Sequence, residues 1–435
     1  MQIKTIFGWS IIFILSFLPM VVWFTLSPDA INFNNYSSIT HGFGEVFGLV
    51  GMTMFALTFI LSMRLRKIEE LFNGLDKVYV VHSILGALAL FFILLHPIFL
   101  VLKFVPSNFY LAAKYLLPSS AWSINLGIIA LLGILTLITI TFFVRIKYEK
   151  WKFSHKFLGL VFIFAVAHIF FVRMFFVTDG IFKGYYIYAF LVSIIGLSGF
   201  FYTLFIKRLI LKEYKYKISS INKIKNVFEI SMNPESESMH YRNGQFAFFS
   251  FKNENLPSEF HPFSLASKSN NKELKIFVKK LGDFTSSLDS LRAGDHVIVE
   301  GPYGKFSYTK MNTDQVWVAG GIGVTPFIGM ALDLQNQKSN NKTYLIYTAK
   351  EDSEFVGKET FNKIASENKN FKVLFWNSQE KGYLDLNHIK KFVGNLKNEE
   401  YFLCGPSVFK EKITQELLSN KINKKNIHDE AFEFK

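Results

Sequence analysis

Four histidines have the side chains and the spacing for redox chemistry: His82, His96, His155 and His168. His82 and His96 stand fourteen residues apart in one long apolar stretch, and His155 and His168 thirteen apart in another. An ionisable side chain at membrane depth is costly and marks function by default. At 1.5 Å rise per residue, the partners of each pair are about 21 and about 20 Å apart along a helix. Two such helices side by side offer one histidine couple near each face of a hydrocarbon slab roughly 30 Å thick. Neutral imidazole is a good iron ligand, and one ring from each helix fills both axial positions of a haem. By depth, His82 pairs with His155 and His96 with His168. Iron held in this way passes electrons and does not bind oxygen directly. Any one of these histidines alone would read equally well as a hydrogen-bonded residue between helices. Four at matched depths on two spans favour the haem reading.

Helical phase supports that reading in part. Fourteen residues return a side chain to nearly the same face, whereas thirteen leave it about 140° away on an ideal helix. The stretch carrying His155 and His168 therefore needs a tilt, a local bulge or a rotated side chain. Pro97, next to His96, is expected to loosen the other stretch.

The second half of the chain carries a different set. His261-Pro262-Phe263-Ser264 places an aromatic and a hydroxyl at a strand end, which suits a flavin ring and its edge, or a plain turn into a strand. Strand 276–281 runs into Gly282-Asp283-Phe284-Thr285, a helix start whose free N–H groups suit a pyrophosphate. Gly301-Pro302-Tyr303-Gly304 reads as a turn. Strand 315–318 is followed by Ala319-Gly320-Gly321-Ile322-Gly323-Val324-Thr325-Pro326 and an apolar helix, the strand–glycine loop–helix order of a dinucleotide phosphate site. The G-x-G-x-x-G fingerprint is absent. Lys350, after strand 343–348, would meet a 2′-phosphate and favour NADPH, or be a plain surface lysine. Strand 400–403 ends at Cys404-Gly405-Pro406, where ligands bind in parallel sheets. A buried thiol there is a small apolar group or a neighbour of the hydride-donating carbon.

These residues must be positioned by two unlike halves. Hydrophobic residues make up half of the 435, including 50 Phe, and they crowd residues 1–210. Six apolar runs are long enough to span: 6–26, 42–63, 78–102, 121–144, 156–177 and 184–206. The first is longer than a signal-peptide core and lacks a small-residue cleavage site, so it is expected to be retained. Arg64, Arg66 and Lys67, then Arg145, Lys147, Lys150 and Lys152, then Lys207 and Arg208 mark alternate loops as cytoplasmic, with both termini on that side. The net charge of +14 fits topology and lipid headgroups and is not read as nucleic-acid binding. A single cysteine excludes a disulfide framework, a cysteine zinc site and an iron–sulfur cluster within one chain. With no C-x-x-C-H, any haem is held by coordination and packing alone. His41 is expected at the outer interface. The expected architecture is multi-domain: a six-helix transmembrane haem-binding bundle (1–210), an antiparallel β-barrel flavin domain (211–308) and an α/β parallel-sheet nucleotide domain (309–435).

Taken together, the histidine spacings, the His261–Ser264 segment, the 319–326 loop and Cys404-Gly405-Pro406 resemble the NADPH oxidase and ferric reductase superfamily over residues 40–435. The resemblance implies a ferric-reductase-like haem domain joined to a ferredoxin-NADP reductase-like module. It makes His82, His96, His155 and His168 the ligands of two b-type haems. It makes His261, Pro262, Phe263, Ser264 and Thr285 contacts of FAD. Contacts of NADPH are Gly320, Gly321, Gly323, Thr325, Lys350, Cys404, Gly405 and Pro406. Glu430-Ala431-Phe432 resembles the family's acidic-x-aromatic ending, with Phe432 (or Phe434) covering the flavin. The implied activity is electron transfer from cytoplasmic NADPH through FAD and the haems to an outer acceptor. O2 giving superoxide is the first expectation. A ferric chelate, or a partner or quinone, is the alternative. Leu100 stands where animal oxidases carry a polar histidine. Short loops and the lack of an EF-hand pattern suggest a compact bacterial member of the plasma membrane without an obligatory regulatory subunit.

Overall fold

A computed structural model of the chain describes residues 3–27, 33–105, 107–144, 146, 148–176, 184–308, 313–335, 341–394 and 396–430. It divides into two compact units, one of Lys4–Phe72 and Lys77–Ile210, the other of Leu211–Lys435 with Asn73–Asp76.

The first unit holds six helices long and apolar enough to cross a membrane: Thr5–Leu26, Tyr36–Ser62, Leu75–Leu102, Trp122–Phe143, Glu149–Val172 and Tyr186–Ile206. The second span begins earlier than hydropathy alone suggests. The Asn35 side chain accepts from Ser38 N–H and the Ser38 hydroxyl accepts from Asn35 N–H, a reciprocal cap that starts the helix among polar residues. The third span continues through Pro97 to Leu102. Large apolar side chains such as Phe13, Val21, Leu132 and Phe142 point outward, as a bundle in lipid requires. The first span is tied in: the Trp23 indole N–H donates to Glu45 at 2.9 Å.

The fifth span contains the irregularity that the thirteen-residue spacing demands. One helix runs Tyr148–Lys156, Phe157 is a turn, and a second helix runs Leu158–Phe176. At the break, Phe157 N–H donates to Ser154 C=O, a tightened i→i+3 bond. His155 and His168 thus sit on different segments, and the break removes the phase error.

The second unit begins with a six-stranded antiparallel sheet in the order β4-β3-β6-β1-β2-β5. Its strands are β1 Glu213–Ile224, β2 Val227–Pro234, β3 Phe246–Lys252, β4 His261–Ser264, β5 Leu274–Lys279 and β6 His296–Tyr303. The two edge strands meet at one end, where Ala266 N–H donates to Lys275 C=O at 2.8 Å. Gly301, Pro302 and Tyr303 end β6 instead of forming the expected turn. Beyond Glu300 the strand pairs only with β3, and a register shift between Phe246 and Phe248 absorbs the Gly301-Pro302 step.

A parallel five-stranded sheet follows, in the order β11-β10-β7-β8-β9: β7 Gln315–Gly320, β8 Thr343–Ala349, β9 Phe371–Asn377, β10 Glu400–Cys404 and β11 Ile427–Glu430. Its central strand β7 is buried throughout, as a sheet covered on both faces should be.

Candidate redox site

In the membrane unit the four histidines form two couples. The ring centres of His82 and His155 are 6.3 Å apart, and those of His96 and His168 are also 6.3 Å apart. Two metal–imidazole bonds of about 2 Å, plus the distance from each nitrogen to its ring centre, come to about 6 Å. Each gap therefore fits one metal ion between two rings.

The hydrogen bonds fix which nitrogen faces the gap. His82 Nδ1 lies 3.0 Å from Thr58 C=O, His96 Nδ1 2.7 Å from Gly44 C=O, and His168 Nδ1 2.7 Å from Ser123 C=O. A carbonyl only accepts, so Nδ1 donates and Nε2 keeps its lone pair. That is the tautomer a metal-ligating imidazole uses, oriented by an outer partner.

Two glycines make room for the rings of His96 and His168. A Cβ on Gly48 would stand 2.7 Å from His96 Nδ1, and one on Gly127 would stand 2.8 Å from His168 Nδ1. Each glycine lies one turn after the accepting carbonyl, Gly44 before Gly48 and Ser123 before Gly127. The same arrangement thus recurs on the second and fourth spans. These carbonyls and notches escaped the reading of the sequence. The visible trace was small residues four apart, Gly44 with Gly48 and Ser123 with Gly127, a pattern that lets helices approach closely.

Glu45 was also missed. Among the described residues it is the carboxylate within the interior of the spans, next to Gly44. One oxygen accepts from Trp23 and the other faces His41 Nε2 at 3.8 Å.

In the soluble unit, β4 carries His261, Pro262, Phe263 and Ser264 along the sheet edge beside β3. His261 stacks on Phe284 at 3.5 Å and bonds Glu259 at 3.1 Å. That contact brings the β4 segment to the Gly282–Thr285 turn. Thr285 Oγ1 accepts from Leu281 N–H and Gly282 N–H at 2.9 and 3.0 Å, so its hydroxyl closes the turn itself. Ser264 Oγ and both side-chain polar atoms of Asn243 are buried with no hydrogen-bond partner among the described residues. Orphaned buried groups call for a ligand or water, and Ser264 thus fits the edge of a bound flavin.

The carboxyl ends of the parallel strands collect the residues expected to contact the nucleotide. β7 ends at Gly320, a 3-10 turn covers Gly321–Val324, and the helix Thr325–Leu334 starts with Pro326 in its first turn. Gly321 has φ +55° with open space where a Cβ would be, and a backbone left bare there admits a pyrophosphate. Gly323 and Gly405 serve packing. A Cβ on Gly323 would come 2.5 Å from Cys404 O, and one on Gly405 would come 3.1 Å from the Gly320 backbone. Gly323→Ala is expected to destabilise the soluble unit by about 1–3 kcal/mol through overpacking, measured as a lower melting temperature that NADPH no longer raises.

Cys404 is fully buried at the end of β10, and Pro406 packs near Gly320. Burial pushes the Cys404 thiol up, and the Glu430 charge adds to this. At neutral pH it is an uncharged thiol, suited to packing beside a ring and not to nucleophilic attack. Lys350 is exposed just past β8. Glu430 pairs with Cys404 in the β10–β11 register and lies near Gly304 of the flavin-side sheet. Phe432 and Phe434 lie outside the described residues.

Three family models match the chain. The ferric reductase like transmembrane component covers residues 47–166, an FAD-binding domain 210–307, and an oxidoreductase NAD-binding domain 317–415. The fold and the three matched domains define a transmembrane oxidoreductase of FAD- and NAD(P)H-binding domains. The chain belongs to the NADPH oxidase/ferric reductase superfamily, whose three-part architecture it carries. Among curated proteins it is 30% identical over 162 residues to a subunit of the Na(+)-translocating NADH-quinone reductase of Haemophilus ducreyi, a match covering 34% of this chain and 39% of that protein. The chain thus spans about two fifths of the length of the curated relatives it matches. Among solved structures, the flavohemoglobin from Malassezia yamatoensis with bound FAD and heme has a TM-score of 0.52 at 18% identity, over 94% of this chain and 100% of that one, a likeness of fold. The FAD/NAD-binding domain of nitric oxide dioxygenase from Vibrio cholerae scores 0.45 at 20% identity, over 50% of this chain and 97% of that domain.

Proposed function

We propose that the protein moves electrons from cytoplasmic NADPH across the plasma membrane to an acceptor on the outer face, with FAD and two b-type haems as resident groups and O2 reduced to superoxide as the outer reaction. The observation that carries this reading is the pair of imidazole couples, each 6.3 Å apart, with Nδ1 engaged by a helix carbonyl in three of the four rings. When bound, the flavin accepts a hydride and releases single electrons, which haem iron takes one at a time.

The chain's own residues have separate tasks. His82 with His155, and His96 with His168, hold the two irons. His261, Pro262, Phe263 and Ser264 seat the flavin, with Ser264 Oγ toward its edge. Gly320, Gly321 and Thr325 present the loop and helix start to the nucleotide's phosphates, Lys350 meets a 2′-phosphate, and Cys404, Gly405 and Pro406 line the nicotinamide side. On the resemblance alone, Phe432, or Phe434, is assigned the role of the aromatic that nicotinamide displaces. The arginines and lysines after the second, fourth and sixth spans put the soluble half and both termini in the cytoplasm.

A small, open apolar depression at the surface is compatible with a small neutral acceptor. It holds about 190 Å³ and is lined by Phe104, Leu111, Lys114, Tyr115, Leu117 and Ile124. Ile124 adjoins Ser123, whose carbonyl holds His168. This volume is below the roughly 300–1,000 Å³ of sites for larger ligands, and Lys114 would stabilise a nascent anion. A ferric chelate reduced at the surface is the alternative. Delivery to a quinone is a second reading, favoured by Glu45 and His41, ionisable groups beside the outer couple that suit an acceptor taking up protons.

The test is one assay on purified protein with NADPH. Oxygen uptake and superoxide dismutase-sensitive cytochrome c reduction are followed with and without a ferric chelate or a short-chain quinone. Oxygen uptake with dismutase-sensitive reduction is expected. Rapid reduction of chelate or quinone with no oxygen uptake would overturn the oxidase reading.

A further inference from the structure

The two histidine couples share one separation and differ in how their rings are fixed. In the His96/His168 couple, both Nδ1 atoms reach a helix carbonyl at 2.7 Å, each in a glycine notch. In the other couple, His82 has Thr58 C=O at 3.0 Å, while His155 Nδ1 is buried with no hydrogen-bond partner among the described residues. Metal-ligating histidines almost always donate their second nitrogen to an acceptor, so this departure is informative. Among the described residues, no carbonyl selects the tautomer of His155 or sets its plane. Its helical segment, Tyr148–Lys156, is separated by the turn at Phe157 from the long helix that carries His168.

A ring takes the place of the missing bond. Trp151 lies one turn before His155 on the same segment, with ring centres 5.3 Å apart and planes 31° from parallel. We infer that Trp151 is the positioning residue for His155, and that the His82/His155 couple is therefore the more weakly held of the two iron sites. This rests on the reading of all four histidines as haem ligands. Ring contact restricts tilt but leaves the imidazole free to turn in its own plane, and it does not raise the basicity of Nε2 as a donated hydrogen bond does. The same protein fold thus contains one site locked by two backbone carbonyls and one held by a single carbonyl and an indole face.

The experiment uses the full chain in detergent, loaded with haem and mixed with excess apomyoglobin as haem scavenger. Release should occur in two phases of equal amplitude, the faster by about tenfold, the scale of losing one outer partner. His168→Ala should keep only the faster phase and His82→Ala only the slower. Trp151→Ala should speed the fast phase by a further tenfold or so and shift one of the two low-spin resonances in electron paramagnetic spectra. Trp151→Phe, which keeps a ring face, should restore both. Trp151→Leu, which keeps apolar volume without a ring, serves if the alanine variant fails to fold. Equal release from both sites, a fast phase assigned to His96/His168, or unchanged rates and resonances in Trp151→Ala and Trp151→Leu would overturn the inference. Wild-type protein without haem would instead overturn the reading on which it rests.

Discussion

His96→Ala should remove about half of the haem absorbance, because one of two couples loses a ligand. The remaining spectrum should belong to His82 and His155. Reduction of an outer-face acceptor should be lost, while NADPH-dependent reduction of a soluble dye on the cytoplasmic side should persist, since residues 211–435 are untouched. The reason is geometric. His96 and His168 face one another at 6.3 Å, and each leans on a different neighbouring helix. With one ring gone, the gap holds a single ligand. Absorbance spectra and haem extraction check the outcome, and full haem retention would contradict the assignment.

Gly48→Leu should remove the same haem without altering any ligand. The Cβ alone would sit 2.7 Å from His96 Nδ1. The ring must then leave its notch and give up Gly44 C=O, 2.7 Å away. Losing an outer partner costs about 10–100-fold in metal affinity, before counting the strain of about 1–3 kcal/mol from forcing bulk between packed helices. Gly127→Leu should act alike on His168, where the Cβ distance is 2.8 Å. Haem content and spectra of the variants decide this. A Gly48→Leu protein with two intact haem signals would remove the notch from the account.

The sequence was informative where one residue type has one physical use. A long continuous apolar run crosses lipid as a helix, which satisfies its own backbone, and six helices of that length and composition are present. The phase mismatch between His155 and His168 announced an irregularity, and the turn at Phe157 is that irregularity. Gly321–Val324 links a strand to a helix, the order the glycine loop indicated.

What stayed hidden depends on partners far along the chain. Thr58, Gly44 and Ser123 contribute backbone carbonyls, and a carbonyl leaves no mark on residue identity. Gly48 and Gly127 are ordinary helix glycines until a ring from another span is placed against them. The bond by which Thr285 Oγ1 closes its own turn is likewise not announced by residue type. The segment Gly301–Tyr303 looked like a turn because local composition cannot register a bulge in the opposing strand β3.

The most direct measurement is the haem content and resonance spectrum of the purified wild-type protein, expressed with ample porphyrin. Two haems per chain are expected, both low-spin with two imidazole ligands. A protein that folds, binds FAD and shows no Soret band would contradict the pairing of His82 with His155 and of His96 with His168.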